Sequence, residues 1–570
     1  MNCHQYCHSR FVLLFFAICS IQVHTLRAQV AKPTNQVPTI RSEVRVVLVD
    51  VVVTQGSGEP VAGLHRDDLL VSEGGRQQTI SSFQEHTGGT VSPVALPPMP
   101  QGVYTNYPTI RTTDSINVLL LDSLNTQAVD QAYVHPQMAK YFQAAMAAPP
   151  GARTAIFTLG SKLRMVRGFT PDPAALATAL TDSKSGAEVK FEPQIASPSR
   201  KNRELLACSG IKAPAGIAAC KDFFAEEDAA RSADRVLMTL QAFQALARYL
   251  AMFPGRKNVM WVSGSFPITF FPETTPRGGY RGEYGSELKQ TTRLLTADQV
   301  AVYPISATGL TGEEATRPDN YGRPTSEENS DLVFNQIAME ALANETGGKP
   351  FYNTNGLSDA MKEAINVGSH YYTLTYTPTN TKTDGKFRRI EVKGINRSFK
   401  LAYRRGYDAA SHETEETSKV KGATDPLLAL MTFGMPDFAE ILYKVRVGSI
   451  KGNDDASPTK SLVRYGVDFA ISPQDVKLET DASGVRSETI EVALIAYNSD
   501  GTVQNMVAKK IPIHLQPDVF DSLQCVGFQL HEEIDLPQGD VFLETGISDL
   551  TANHAGTLAI PLHIATQAAQ

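Results

Sequence analysis

Much that would announce an enzyme is missing from this chain. It has no G-x-S-x-G elbow, so a serine nucleophile on a strand-to-helix turn is excluded. It has no H-E-x-x-H, and His531-Glu532-Glu533 lacks the second histidine that a zinc site would need. Neither a Walker A sequence nor G-x-G-x-x-G occurs, and Gly56-Ser57-Gly58 reads as a hairpin turn rather than a phosphate cradle. The 12 histidines do not cluster at ligand spacing. There is no surplus of positive charge: a net charge of -7 argues against a nucleic-acid surface. After the N-terminus no apolar run reaches the ~20 residues that span a bilayer.

What is present begins with a leader. Arg10, the apolar run Phe11–Ile21 and Leu26-Arg27-Ala28 read as a signal peptide over residues 1–28, cleaved on export. The competing reading is a membrane anchor, for which the apolar core is short. Cys3, Cys7 and Cys19 leave with the leader. Cys208 and Cys220 flank a Gly/Ala/Pro-rich loop and are expected to form a disulfide in an oxidising compartment, the alternative being two free thiols. Cys525 is left over and reads as a small buried hydrophobe.

With 42% hydrophobic and 20% charged residues the chain is globular rather than disordered, and its 570 residues call for several domains. Ile116–Thr126 (INVLLLDSLNT) organises the middle. An unbroken apolar run is the mark of a strand buried on both faces, and Asp122 falls at its carboxyl end, where open α/β sheets place ligand groups. Helical periodicity follows over Gln131–Ala147, Asp172–Leu180, Ala229–Met252, Leu288–Gln299, Leu332–Thr346 and Leu357–Val367. Strands are expected at Thr154–Leu159, Leu163–Phe169, Asn258–Val262 and Val300–Ile305. Such alternation implies a mostly parallel sheet with helices on both faces.

Before it, Val44–Val53 and the strand–turn–strand stretch up to Phe83 predict a small β module over residues 40–88. Residues 87–111 read as a linker and 182–222 as a surface insertion. Tyr371–Tyr376, Phe387–Val392 and Phe399–Tyr403 read as antiparallel strands at the edge of the α/β domain or as a small annex, giving that domain the span 112–408. Beyond a charged linker, seven strand-like stretches predict a β-sandwich over residues 424–570.

Several stretches, taken in order, carry a resemblance: Val46–Phe83, Asn117–Thr126 (NVLLLDSLNT), Pro254–Pro267 (PGRKNVMWVSGSFP), Ala343–Tyr352 (ANETGGKPFY), Tyr371–Pro378 (YYTLTYTP) and Phe387–Tyr407. The chain resembles the von Willebrand factor A (VWA) domain, and in particular the secreted VWA-related proteins abundant in Acidobacteria, over about residues 40–408. The resemblance implies a VWA-like, Rossmann-like α/β fold. It also implies a site for Mg²⁺ or another divalent cation built from D-x-S-x-S, a distant Thr and a distant Asp. Asp122 matches the first Asp and Thr126 the last hydroxyl; Leu124 stands where the first Ser belongs. The turn after Trp261 reads Ser263-Gly264-Ser265 instead of offering the distant Asp. Ser232 and Thr239 are the candidates for the distant Thr. The site is therefore degenerate.

Two readings of Asp122 stand side by side: a cation ligand, or a cap for the following helix with Asn125 and Thr126 shaping the turn. Asn125, Ser263 and Ser265 belong with it on the expected binding edge. The aromatic-rich loop Gly264–Gly285, with Phe266, Phe270, Phe271, Tyr280 and Tyr284, is either a recognition surface or a loop packed on itself. The basic pairs Arg256-Lys257, Arg388-Arg389 and Arg404-Arg405 read as solvated charge near strand edges. The expectation is a secreted, periplasmic or envelope protein without enzymatic activity that binds a protein partner, with no nucleic acid and no transmembrane segment after signal cleavage. Alternatives are an exported hydrolase with a site no motif reveals, and a structural envelope component.

Overall fold

The computed structural model describes residues 46–87, 99–107, 116–146, 153–181, 207–265, 285–308, 326–352, 356–409, 425–450, 462–517, 519–520, 523, 527–552 and 554–565. The leader, most of the loop Gly264–Gly285 and Cys525 lie outside them. Within them the protein is a mixed α/β structure of several sheets.

Ile116–Asp122 is buried at every position, as its unbroken apolar run requires. It is the middle strand of five, ordered Val300–Ser306, Lys257–Ser263, Ile116–Asp122, Arg153–Leu159 and Leu163–Thr170. The first four run parallel, and the last returns antiparallel through a tight turn at 160–162. Strand alternation sends successive residues to opposite faces. Val118, Leu120 and Trp261 pack with Phe243, Leu246 and Leu250 of helix Pro214–Ala251. Leu119, Leu121, Met260 and Val262 pack with Val134, Met138 and Phe142 of helix Ala128–Ala145, and with Met361 and Ala364 of helix Leu357–Ser369. Helices therefore cover both faces.

Helix Pro214–Ala251 is much longer than its periodic core suggests and takes in part of the stretch read as an insertion. Pro214 opens it in the first turn, where a missing N–H costs nothing, and Ala-rich sequence carries it on. Cys220, within this helix, is joined to Cys208 by a disulfide.

The early β strands do not stand as a module of their own. Val47–Thr54 lies between His370–Tyr376 and Lys400–Tyr403, all antiparallel, and Ile80–Thr87 pairs with His370–Tyr376 on its other side. Phe387–Gly394 joins Leu69–Glu73 to Gly406–Asp408 in a second sheet. The two sheets share one core containing Val49, Val51, Leu69, Tyr372, Leu374 and Val392. So the strands at 370–408 extend the N-terminal sheets rather than the parallel sheet. A short β stretch alone buries too little apolar surface; combined, the two segments close a core. Val47–Thr54 is also the hinge of the architecture. Its odd-numbered valines enter this core, while Val52 on the opposite face packs with the α/β layer.

In the C-terminal region Phe528–Pro537, Leu462–Ile471 and Tyr443–Ser449 form one sheet. Arg486–Tyr497, Val503–Leu515, Gly539–Asp549 and His554–Ile564 form the main part of another. Side chains of both sheets, among them Val445, Phe469, Leu494, Leu543 and Ile560, make a common core. The first of these sheets takes its edge strand, Val103–Thr105, from the stretch read as a linker. Asn106 fastens it: its Nδ2 donates to the carbonyls of Phe438 and Ile441, and its Oδ1 accepts from Tyr443 N.

Candidate functional site: the rim around Asp122

The parallel sheet places two turns side by side at its carboxyl end, one after Asp122 and one after Ser263. The structure brings together Asp122, Asn125, Thr126, Thr239, Ser263 and Ser265, and adds Trp261 and Gln131.

Asp122 is 3% exposed, and its carboxylate accepts four hydrogen bonds from within the protein. Oδ1 accepts from Asn125 N at 2.9 Å. Oδ2 accepts from Asn125 Nδ2 at 2.9 Å, from the Trp261 indole Nε1 at 3.0 Å and from Ser263 Oγ at 2.9 Å. Ser263 Oγ also lies 2.7 Å from the carbonyl of Ser265, so its single proton serves one acceptor at a time. Burial raises the pKa of Asp122 from its ordinary value despite the hydrogen bonds from Asn125, Ser263 and Trp261, which pull it down.

The remaining bonds knit the two turns into one unit. Gly264 N donates to Thr126 Oγ1 at 2.8 Å, and Ser265 Oγ donates to the carbonyl of Asn125 at 3.0 Å. Asn125 Nδ2 reaches Thr239 Oγ1 at 2.9 Å, bringing the long helix into the network. Gln131 Nε2 donates to the carbonyls of Ser123 and Thr126. Gly264 sits so close that a Cβ there would lie 3.1 Å from Thr126 Cα.

This arrangement does not suit a divalent cation. A hard cation takes six or more oxygens whose lone pairs face a common point. Here the acid is turned inward onto four donors, Thr126 Oγ1 accepts a backbone N–H, and Leu124 offers no oxygen. Among the described residues no group of three or more His, Cys, Asp or Glu side chains could hold a metal ion. The capping reading of Asp122 is also refined. The residue preceding helix Ala128–Ala145 is Gln127, which makes no side-chain cap. Asp122 instead closes the turn at Asn125, and Gln131 gathers the loop carbonyls.

A small cleft opens beside this knot, lined by Leu121, Asp122, Ser123, Thr126, Gln131, Val134, His135 and Val262. Gln131 Oε1, buried there, has no hydrogen-bond partner. Burial pulls the His135 pKa down to about 4, so the imidazole is neutral at physiological pH. The rim thus presents neutral groups and a sheltered carboxyl.

Trp261 is the member that motif reasoning passed over. It was visible only as a lone tryptophan on a strand next to the Asp122 strand, and an indole N–H in a core needs an acceptor. Among the described residues no helix is long and apolar enough to cross a membrane.

No family model matches this sequence, and no curated protein matches it either. Among solved structures the protein is similar to an aerotolerance-related membrane protein from Bacteroides fragilis, at 14% identity and a TM-score of 0.21, over 44% of this chain and 98% of that one. It is also similar to the conserved hypothetical protein BatB from Bacteroides thetaiotaomicron, at 11% identity and a TM-score of 0.21, over 44% and 97% of the two chains. A third is a von Willebrand factor type A protein from Catenulispora acidiphila, at 10% identity and a TM-score of 0.16, over 63% and 78%.

Proposed function

We propose that this chain is an exported, non-enzymatic protein-binding protein whose VWA-like α/β layer offers a rigid rim to a partner without a bridging cation. The observation that carries this reading is the knot itself. Asp122, Asn125, Thr126, Ser263, Gly264 and Ser265 are bonded to one another across two turns. They fix the point from which the aromatic-rich segment 266–284 departs. Binding residues are disproportionately carried on segments that a rigid scaffold positions. The Cys208–Cys220 disulfide supports export, because such bonds persist in oxidising compartments. The two C-terminal sheets, read as a sandwich, position the rim or meet neighbouring molecules.

The test is partner capture from the envelope of the source organism, run with Mg²⁺ and with chelator. The proteins compared are the full chain and a variant in which 266–284 is replaced by a short Gly/Ser linker. Capture lost with the segment and indifferent to chelator is the expected result. Capture retained by a folded linker variant rejects the rim as the binding surface.

A further inference from the structure

A second polar centre lies at the opposite, amino-terminal end of the parallel sheet, where the α/β layer meets strand Val47–Thr54. It forms a narrow cleft lined by Leu48, Asp50, Arg256, Thr296, Gln299, Val300, Thr346 and Arg404. It has room for a single small particle. Two guanidiniums face one carboxylate across it.

Arg256 is 2% exposed. Its Nε donates to Asn258 Oδ1, and its Nη2 to Tyr303 OH at 3.2 Å and to the Gly347 carbonyl at 2.6 Å. Arg404 Nη1 donates to the Thr296 carbonyl at 2.9 Å and Nη2 to the Leu48 carbonyl at 2.5 Å. The Nε of Arg404 is buried without a hydrogen-bond partner. Every acceptor these two side chains use is neutral. Asp50, the acid in the cleft, directs its own bonds elsewhere. Oδ2 accepts from Gln299 Nε2 at 2.9 Å and Oδ1 from Thr373 Oγ1 at 2.7 Å. Beside the cleft, Lys257 donates to the Asp298 carbonyl oxygen of the main chain, and its ammonium and the Asp298 carboxyl offset each other.

Within the cleft the count is two fixed positive charges against one negative. A buried guanidinium without a counter-charge is costly, because the protein interior replaces little of the hydration it gave up. The arrangement needs one more negative charge, and the space is that of a single small particle. We propose that this cleft binds one halide-sized monovalent anion, with chloride as the natural occupant, held between the Arg256 and Arg404 side chains. The anion neutralises the seam between the parallel sheet and the N-terminal β layer, so it acts as a bound structural ligand.

The full mature chain tests this by thermal unfolding at constant ionic strength, with potassium gluconate progressively exchanged for potassium chloride. Gluconate is too large to enter. The expected result is a saturable rise in Tm with chloride, as mass action requires of a ligand that binds only the folded state. Arg404→Gln is expected to abolish that rise. Asp50→Asn, which removes the competing negative charge, is expected to lower the half-saturating chloride concentration by at least about threefold. That gain is one a merely structural role for the cluster would not produce. If Arg404→Gln fails to fold, the wild-type titration and Asp50→Asn decide the matter. Equal Tm in the two salts, with Asp50→Asn no different from wild type, means that water alone fills the cleft and overturns the proposal.

Discussion

The indole Nε1 of Trp261 donates to Asp122 Oδ2 at 3.0 Å, joining two neighbouring parallel strands through their side chains. Both groups are buried. The carboxyl therefore relies on this donor and on those of Asn125 and Ser263 in place of water. Asp122→Asn keeps the shape but sets an amide NH₂ against donors. The expected loss of stability is about 1–3 kcal/mol, the usual cost of an unsatisfied buried polar group. Trp261→Phe, which deletes one donor and trims the edge-to-face contact with Phe243, is expected to cost a similar amount. Denaturant unfolding followed by far-UV circular dichroism measures both. Equal midpoints for wild type and Asp122→Asn would show that the knot adds no stability.

A second carboxyl makes stability depend on pH. Burial pushes the Asp437 pKa up to about 6, against a smaller downward pull from the backbone N–H of Ala559. Its unfolded value is near 3.8. Between these two values the folded state binds more protons than the unfolded one, so the contribution is full below pH 3.8 and fades as pH rises through about 6. Asp437→Asn keeps an acceptor for Ala559 and removes the charge. It is expected to raise stability at pH 7 by on the order of 2 kcal/mol and to flatten the slope between pH 4 and 6. The nearby Glu544, also pushed well up by burial and by Asp437, should then ionise more easily. Unfolding midpoints across that range check the sign; an unchanged slope in the variant removes Asp437 as its source.

The parallel sheet was legible because INVLLLD cannot face water on either side, and because helical and strand periods alternate after it. The meeting of Asp122, Asn125 and Thr126 with Ser263 and Ser265 was legible from their places at the ends of neighbouring strands. Thr239, one of two candidates for the distant Thr, meets Asn125 rather than a cation, and Trp261 was less legible, since a lone tryptophan on a strand gives no sign of which acceptor its indole finds. The N-terminal β layer shows the same limit. Strand alternation reveals which residues of Val47–Thr54 point to a core, yet says nothing of the partner, and Asp50 meets Thr373 from 323 residues away. Val103–Thr105 is three residues long in a Pro- and Gly-rich stretch, too short for any period to register. Arg256 and Arg404 read as solvated charge because a basic residue beside a strand usually is; only the packing of one layer on another buries them.

The inward-turned acid also fixes what metal will do. Mg²⁺ at millimolar concentration, or a chelator, is expected to leave Tm unchanged, because Asp122 Oδ2 already accepts from three internal donors, Thr126 Oγ1 accepts from Gly264 N, and Leu124 offers no oxygen to complete a shell. A saturable Mg²⁺-dependent rise in Tm that Asp122→Asn removes would contradict the geometry described above.

The Cys208–Cys220 disulfide closes a short loop at the start of helix Pro214–Ala251. By restricting the unfolded chain, such a cross-link contributes about 2–4 kcal/mol. Replacing both cysteines with serine is expected to lower stability by up to that amount. Because Phe243, Leu246 and Leu250 anchor only the helix's C-terminal half in the core, the loss should be local. Hydrogen exchange is expected to quicken over 214–228 and to stay slow around Leu246. Uniformly faster exchange along the helix would show instead that the bond holds the whole element.

The turn at Gly347-Gly348 predicts two very different costs for the same kind of substitution. Helix Ser326–Thr346 ends at Thr346, whose Oγ1 accepts from Val302 N at 3.0 Å and so draws the helix end onto strand Val300–Ser306. Gly347 takes a φ of 80°, which ends the helix as glycine does best. Gly348 then passes so close to the strand that a Cβ would lie 1.9 Å from the Val302 carbonyl oxygen. That atom is backbone of the sheet's edge strand, so only a shift of the strand or of the helix end would make room. Gly348→Ala is therefore expected to cost more than about 3 kcal/mol or to leave no soluble protein. Gly385 also has positive φ, at 65°, but a Cβ there meets nothing within 4 Å. Gly385→Ala should cost only the backbone strain, about 1–2 kcal/mol. Unfolding of the two variants side by side separates close approach from conformation. Comparable losses would mean that the strand moves to admit the methyl group, and that the helix end is not pinned to it as closely as the Thr346–Val302 bond implies.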